Sequence, residues 1–196
     1  MSEVTTIALV FLALDFFGIA MFALSGGIIA ARKGLDPFGA AVIGGVAGLG
    51  GGTLRDMLLG ALPVYWIAAP QYLAVAVIAG LSGYYGSELV RGETGARRRA
   101  LVWADAAGLA VFCVIGAQAG LEAGAHWSIG IVMGVVSAAF GGVLRDVVVN
   151  DVPLIFREDI YALAALFGAG VYAAAVALRG CAIVFKRSLP AIGKLD

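Results

Sequence analysis

Gly50-Gly51-Gly52-Thr53-Leu54-Arg55-Asp56 sets an Arg-Asp pair inside an apolar segment, and ninety residues later Gly141-Gly142-Val143-Leu144-Arg145-Asp146 does so again. The repetition extends outward from these two motifs. Aligned at that offset without a gap, residues 15–80 and 105–170 share 19 of 66 identities. Gly and Ala matches are cheap in this composition. Asp15/Asp105, the Gly-Gly pairs, the Leu-Arg-Asp triplets and Pro63/Pro153 are not. A duplicated unit with buried charge at matching depth is a common plan of membrane transport proteins.

Composition fixes the class. The 196 residues are 62% hydrophobic and 13% charged, with mean hydropathy +1.00. A soluble domain carries about twice that share of charge, so the chain reads as an all-α polytopic membrane protein. Thirteen basic and thirteen acidic residues cancel, and no nucleic-acid partner is expected. Membrane lipids are the expected surroundings. Cys113 and Cys181 lie far apart in apolar stretches and read as packing residues. His126, beside Trp127 in a short connection, reads as an interfacial side chain. No metal site or cofactor is expected, and one His with no nucleophile set argues against an enzyme. The N-terminal run lacks a basic region and is interrupted by Asp15, so it reads as an uncleaved first span.

A bilayer core of about 30 Å calls for roughly 20 apolar residues per helix. Six segments qualify, near 6–30, 38–60, 70–90, 100–121, 127–150 and 159–178. Trp66, Trp103, Trp127 and Tyr161 fall near span ends, where amphipathic rings favour the interface. Connections one, three and five hold Arg32, Lys33, Arg91, Arg97, Arg98, Arg99 and Arg157, while two and four hold no Lys or Arg. The positive-inside rule then places the N-terminus outside. Lys186, Arg187 and Lys194 ask for a cytoplasmic C-terminus and hence an odd number of segments. Yet Asp159 to Phe185 holds one full span, divided by Arg179, so a short or incomplete seventh segment is expected. The expected layout is one membrane domain over 1–196. Residues 6–90 form the first three-helix repeat, 100–178 the second, and 179–196 a C-terminal segment. Three spans is an odd number, so the two copies lie in opposite orientation as an inverted repeat.

Six ionisable groups fall inside spans: Asp15, Arg55, Asp56, Asp105, Arg145 and Asp146. A lone charge at the bilayer centre costs about 2.5–3.5 kcal/mol on insertion scales, so these residues pair, face the protein interior or line water. Adjacent helical residues do not face each other. Arg55 is therefore expected to find Asp15 or Asp146, and Arg145 to find Asp105 or Asp56. Four Asp against two Arg favour cations along a wet path. For Gly50, Gly51, Gly52, Gly141 and Gly142 two readings stay open. They are close helix packing, or a kink that opens the backbone toward a cavity.

The doubled Gly-Gly-x-Leu-Arg-Asp element resembles the prokaryotic branch of the trimeric intracellular cation (TRIC) channel family. Asp15-Gly18-Phe22 and Asp105-Gly108-Phe112 strengthen the likeness, as do Pro63 and Pro153. The resemblance covers residues from about 6 to 178. It implies two inverted three-helix bundles plus a seventh helix, and a homotrimer with one hydrophilic pore per protomer. That pore would conduct K⁺ and, less selectively, Na⁺, and be gated or shaped by glycine-kinked second and fifth helices. Carried over, the pore positions are Gly50, Gly51, Gly52, Arg55, Asp56, Gly141, Gly142, Arg145 and Asp146. Asp15 and Asp105 join them by their charge. The prokaryotic plasma (inner) membrane is the implied location. The lipid-binding Lys pattern of animal members is not matched. Bacterial members of the group have also been described as candidate glycine transporters, so a small-amino-acid carrier is the competing expectation. Its basis is the positive helix end after Gly52 or Gly142, where Arg55 or Arg145 stands ready for a carboxylate.

Overall fold

The computed structural model describes residues 3–89, 95–156 and 167–174, with side chains over 9–87, 95–156 and 167–174. Helix α1 runs Glu3–Arg32, α2 Pro37–Leu59, a one-turn α3 Tyr65–Ala68, α4 Gln71–Leu89, α5 Ala96–Glu122 and α6 Trp127–Val148. A 3-10 turn, Leu154–Phe156, and a helical segment over 167–174 follow. Four of these helices are long and apolar enough to cross a membrane: Leu9–Arg32 of α1, and α2, α5 and α6. Helix α4 falls short of that apolarity because its last turns carry Ser82, Tyr84, Tyr85 and Ser87. It nonetheless packs on both α1 and α2 as the third helix of the first bundle. The expected seventh segment, Arg157, Tyr161 and Cys181 lie outside the described residues.

The helix ends explain why the chain breaks where it does, and they are duplicated. Gly34 (φ 73°) follows α1, and Gly124 (φ 78°) stands at the same place after α5, in the left-handed region that glycine tolerates. Leu35 N–H then donates to the Ala30 carbonyl, and Ala125 N–H to the Gly120 carbonyl. Asp36 caps α2 by accepting the Gly39 N–H at 2.7 Å, with Pro37 in the first turn. His126 takes the equivalent place before α6, its Nδ1 facing the Ser128 N–H at 3.4 Å and the Ser128 hydroxyl at 2.9 Å. The lone histidine is thus a helix cap.

α1, α2 and α4 form one bundle. α5, α6 and the segment 167–174 form the other: Ala169 is fully buried, and a Cβ on Gly134 would lie 2.6 Å from it. The bundles meet where α1 crosses α5 and α2 crosses α6, and both crossings are reciprocal. A Cβ on Gly18 would meet the Phe112 ring, and one on Gly108 the Phe22 ring. The two rings stack at 5.8 Å. A Cβ on Gly51 would overlap the Ser137 carbonyl oxygen, and one on Gly141 the Ala47 carbonyl oxygen. All four partners are exchanged by the ninety-residue offset, as a two-fold relation between inverted copies requires. At one end Lys33, after α1, lies 3.6 Å from Asp151, after α6. Connections one and five therefore share a side, in keeping with the alternation of charge.

Candidate functional site

The second Arg-Asp pair is a closed cluster. Arg145 is fully buried. Its Nη1 and Nη2 donate to the two carboxylate oxygens of Asp105 at 2.6 and 2.9 Å, the bidentate fit that suits a guanidinium. Nε donates to Asp146 Oδ1 at 2.8 Å, and Nη1 also donates to Ser25 Oγ at 2.6 Å. Ser25 Oγ–H in turn donates to the Phe22 carbonyl at 2.7 Å. One guanidinium from α6 thereby ties α5 and, across the repeat boundary, α1. Asp105 was one of two expected partners of Arg145, and it is the one found.

The first pair is built differently. Arg55 Nε and Nη2 both donate to Asp56 Oδ1, at 2.9 and 2.6 Å. The expectation that adjacent residues cannot pair fails here, as it does at Arg145 and Asp146. That rule follows Cβ directions, whereas the long arginine stem curls around the helix to the next carboxylate. The aspartates are held still for it: Asp56 Oδ2 accepts the Tyr65 N–H at 3.0 Å, and Asp146 Oδ2 the Leu154 N–H at 3.1 Å. Each Asp so anchors the short turn that re-enters after its helix. Arg55 also stands 5.8 Å over the Tyr65 ring, a cation–π distance.

Asp15 joins Arg55 in lining a cleft of about 300 Å³, together with Tyr72, Gln118 and Glu122. Tyr72 and Asp15 line it together, and Gln118 donates to Glu122 at 2.7 Å. At the second cluster the space around Asp105, Arg145 and Asp146 shrinks to about 20 Å³. The offset names the cause: Gln118, Glu122 and Ile115 correspond to Ile28, Arg32 and Ser25. Ile28 is buried, and Ser25 bonds the arginine itself. The structure is open and polar at one arginine and sealed at the other.

The glycines settle between these clusters. α2 runs unbroken through Gly50, Gly51 and Gly52, and α6 through Gly141 and Gly142. In place of a break there is a close crossing: Gly50 faces Leu144, Gly51 the Ser137 backbone, Gly141 the Ala47 backbone and Gly52 the Tyr65 ring. Gly142 differs, with only the Arg145 Nη2 at 3.8 Å. Trp66 lies near a span end as expected, in the one-turn α3 between α2 and α4. It is half-buried and donates its indole N–H to Thr53 Oγ1 at 2.9 Å, whereas Trp103 and Trp127 are exposed at their helix ends. A roomier cavity, about 570 Å³, is an apolar groove between α2, α4 and α6 that holds none of the charged residues. Among the described residues no group of three His, Cys, Asp or Glu could hold a metal.

Ser25, Tyr65, Tyr72, Gln118 and Glu122 are the site residues that motif reading missed. Their signal was the mismatch between copies, since Ser25/Ile115, Gln118/Ile28 and Tyr65/Ile155 differ in polarity at equivalent positions.

Known proteins carry the same architecture. A protein-family model described as "Glycine transporter" matches residues 12–87 and 102–177, once per repeat and at the same offset of ninety. The inner membrane protein YadS of Escherichia coli is 41% identical over 162 residues, covering 83% of this chain and 77% of YadS. A membrane protein of Vibrio cholerae is 40% identical over 170 residues, covering 84% and 68%. Among solved structures, the TRIC trimeric intracellular cation channel orthologue from Rhodobacter sphaeroides superposes with TM-score 0.81 at 40% identity, covering 86% of this chain and 85% of that one. A prokaryotic TRIC channel in 0.5 M KCl superposes with TM-score 0.77 at 27% identity, covering 93% and 100%. The chain belongs to this family of membrane transport proteins, the prokaryotic branch of the trimeric intracellular cation channels.

Proposed function

We propose that this chain is a potassium-permeable monovalent cation channel of a prokaryotic inner membrane. It works as a homotrimer with one hydrophilic pore per protomer and the N-terminus outside. The observation that carries the reading is the acidic cleft of Asp15, Arg55 and Glu122 cut into a membrane-spanning inverted repeat. Arg55 is matched by Asp56, so Asp15 and Glu122 give the mouth a negative balance, which draws cations and turns anions away. The likeness to structures named as cation channels supports the same reading.

The proposed path enters at Asp15, Arg55 and Asp56. It passes the crossing of Gly50, Gly51 and Gly52 with Gly141 and Gly142, and leaves past Asp105, Arg145 and Asp146. The glycines shape it by letting two helix backbones touch. On this reading the sealed second cluster is the closed point of the path, and conduction requires Arg145 to give up part of its hydrogen bonding. The apolar groove beside the crossing supports contact with lipid chains or a neighbouring protomer, where close packing holds helices together.

A second reading is favoured by the family description and by the cleft itself. Arg55 with Asp15 and Glu122 also matches the carboxylate and ammonium of a small amino acid. Proteoliposomes separate the two. The channel reading expects K⁺ tracer uptake that is electrogenic and indifferent to glycine. Saturable glycine uptake without an ionic leak would replace it with the carrier.

A further inference from the structure

Tyr65, packed edge-on to the cleft-lining Tyr72, carries a polar atom with nothing to do. Its hydroxyl oxygen is sealed from solvent and has no hydrogen-bond partner among the described residues. Everything else about the residue is fixed. Its N–H is held by Asp56 Oδ2, and its ring lies edge-on to Tyr72 at 4.9 Å, under the Arg55 guanidinium. The ring occupies the space that Gly52 leaves by lacking a side chain: a Cβ there would lie 2.7 Å from Cε1 and 3.3 Å from the hydroxyl. Sealed hydroxyls without partners are disfavoured, and a phenylalanine would fill the same volume without that penalty. The counterpart in the other repeat is Ile155, so duplication does not account for the oxygen either. The second sealed orphan, Ser137 Oγ, points at Gly116 within the other bundle and away from the cleft.

The position of the hydroxyl says what it is for. Its ring packs edge-on to Tyr72, which lines the cleft, and the hydroxyl stands beside Gly52, next in sequence to Gly51 of the crossing. A phenolic oxygen offers lone pairs without a formal charge, the kind of ligand that replaces a water of hydration. We propose, resting on the cation-channel reading above, that the Tyr65 hydroxyl is a specificity-determining ligand of the ion path, coordinating a monovalent cation between the Asp15 cleft and the Gly51–Gly141 crossing.

Tyr65→Phe tests it, with current measured from purified protein in a planar bilayer under opposed K⁺ and Na⁺. Because the hydroxyl has no protein partner, the variant should fold, assemble and melt like the parent. Its K⁺-to-Na⁺ permeability ratio should change by about threefold or more, the weight of one ordinary hydrogen-bonding group. An unchanged ratio and conductance at normal stability would overturn the proposal. So would a variant that fails to fold, because the oxygen would then be a structural partner. Absence of cation current in the parent would instead remove the channel reading beneath it.

Discussion

At the scale of single residues, the two arginines share a motif but not a job. Arg145 is fully buried and gives four hydrogen bonds to Asp105, Asp146 and Ser25. Removing it strands two carboxylates, and breaking a buried pair in this way costs about 3–5 kcal/mol. Among the described residues Arg55 donates its hydrogen bonds only to Asp56, on its own helix, so its loss breaks no hydrogen-bonded tie between helices. Arg145→Ala should therefore lose far more folded protein than Arg55→Ala in thermal unfolding of detergent-solubilised samples. Equal melting temperatures would contradict the division of roles. Asp15→Asn should leave stability nearly unchanged and weaken cation current. The six charged positions were legible in the sequence because charge in an apolar segment is conspicuous and these recur at a fixed offset. Their pairing was not, because the reach of an arginine back to its own neighbour depends on what pins that aspartate. Here a backbone N–H from the turn that follows each helix does so. Ser25, Tyr65 and Gln118 stayed hidden because such residues are ordinary in helices until packing sets them beside a guanidinium.

At the scale of helices, the contest over the glycines is decided by what surrounds each one. Side chains at Gly51 and Gly141 would run into backbone carbonyls of the opposite repeat, which cannot move aside as a flexible side chain can. Alanine favours a helix over glycine by about 1 kcal/mol, but that gain is smaller than the loss of forcing two packed helices apart. Gly51→Ala and Gly141→Ala should lower the yield and melting temperature of the purified protein. Gly142→Ala, with 3.8 Å to its nearest neighbour, should be tolerated or slightly stabilising. Matched melting curves for all three would mean the crossing is looser than described. Sequence spacing announced small residues at a helix interface. It could not say whether they break a helix or seat one, since both uses leave the same pattern.

At the scale of the whole molecule, the inverted repeat makes the two ends of the protein equivalent in plan and unequal in detail. The reciprocal contacts of Gly18 with Phe112 and of Gly108 with Phe22 set the plan. Basic loops and the Lys33–Asp151 contact mark one end, and the Asp15 cleft, flanked by Gln118 and Glu122, opens toward the other. Cysteines placed at Gly34 and Gly124 should accordingly label from opposite sides with a membrane-impermeant reagent, Gly124 from outside. Labelling of both from one side would undo the inverted arrangement. The central claim is that cations pass through this protein by way of the Asp15 cleft. It is tested most directly by the reversal potential of purified protein in a planar bilayer under a KCl gradient, for the parent chain and for Asp15→Asn. The parent should reverse near the K⁺ potential, and the variant should carry a smaller current. A reversal potential that follows Cl⁻, or currents identical in the two proteins, would contradict it.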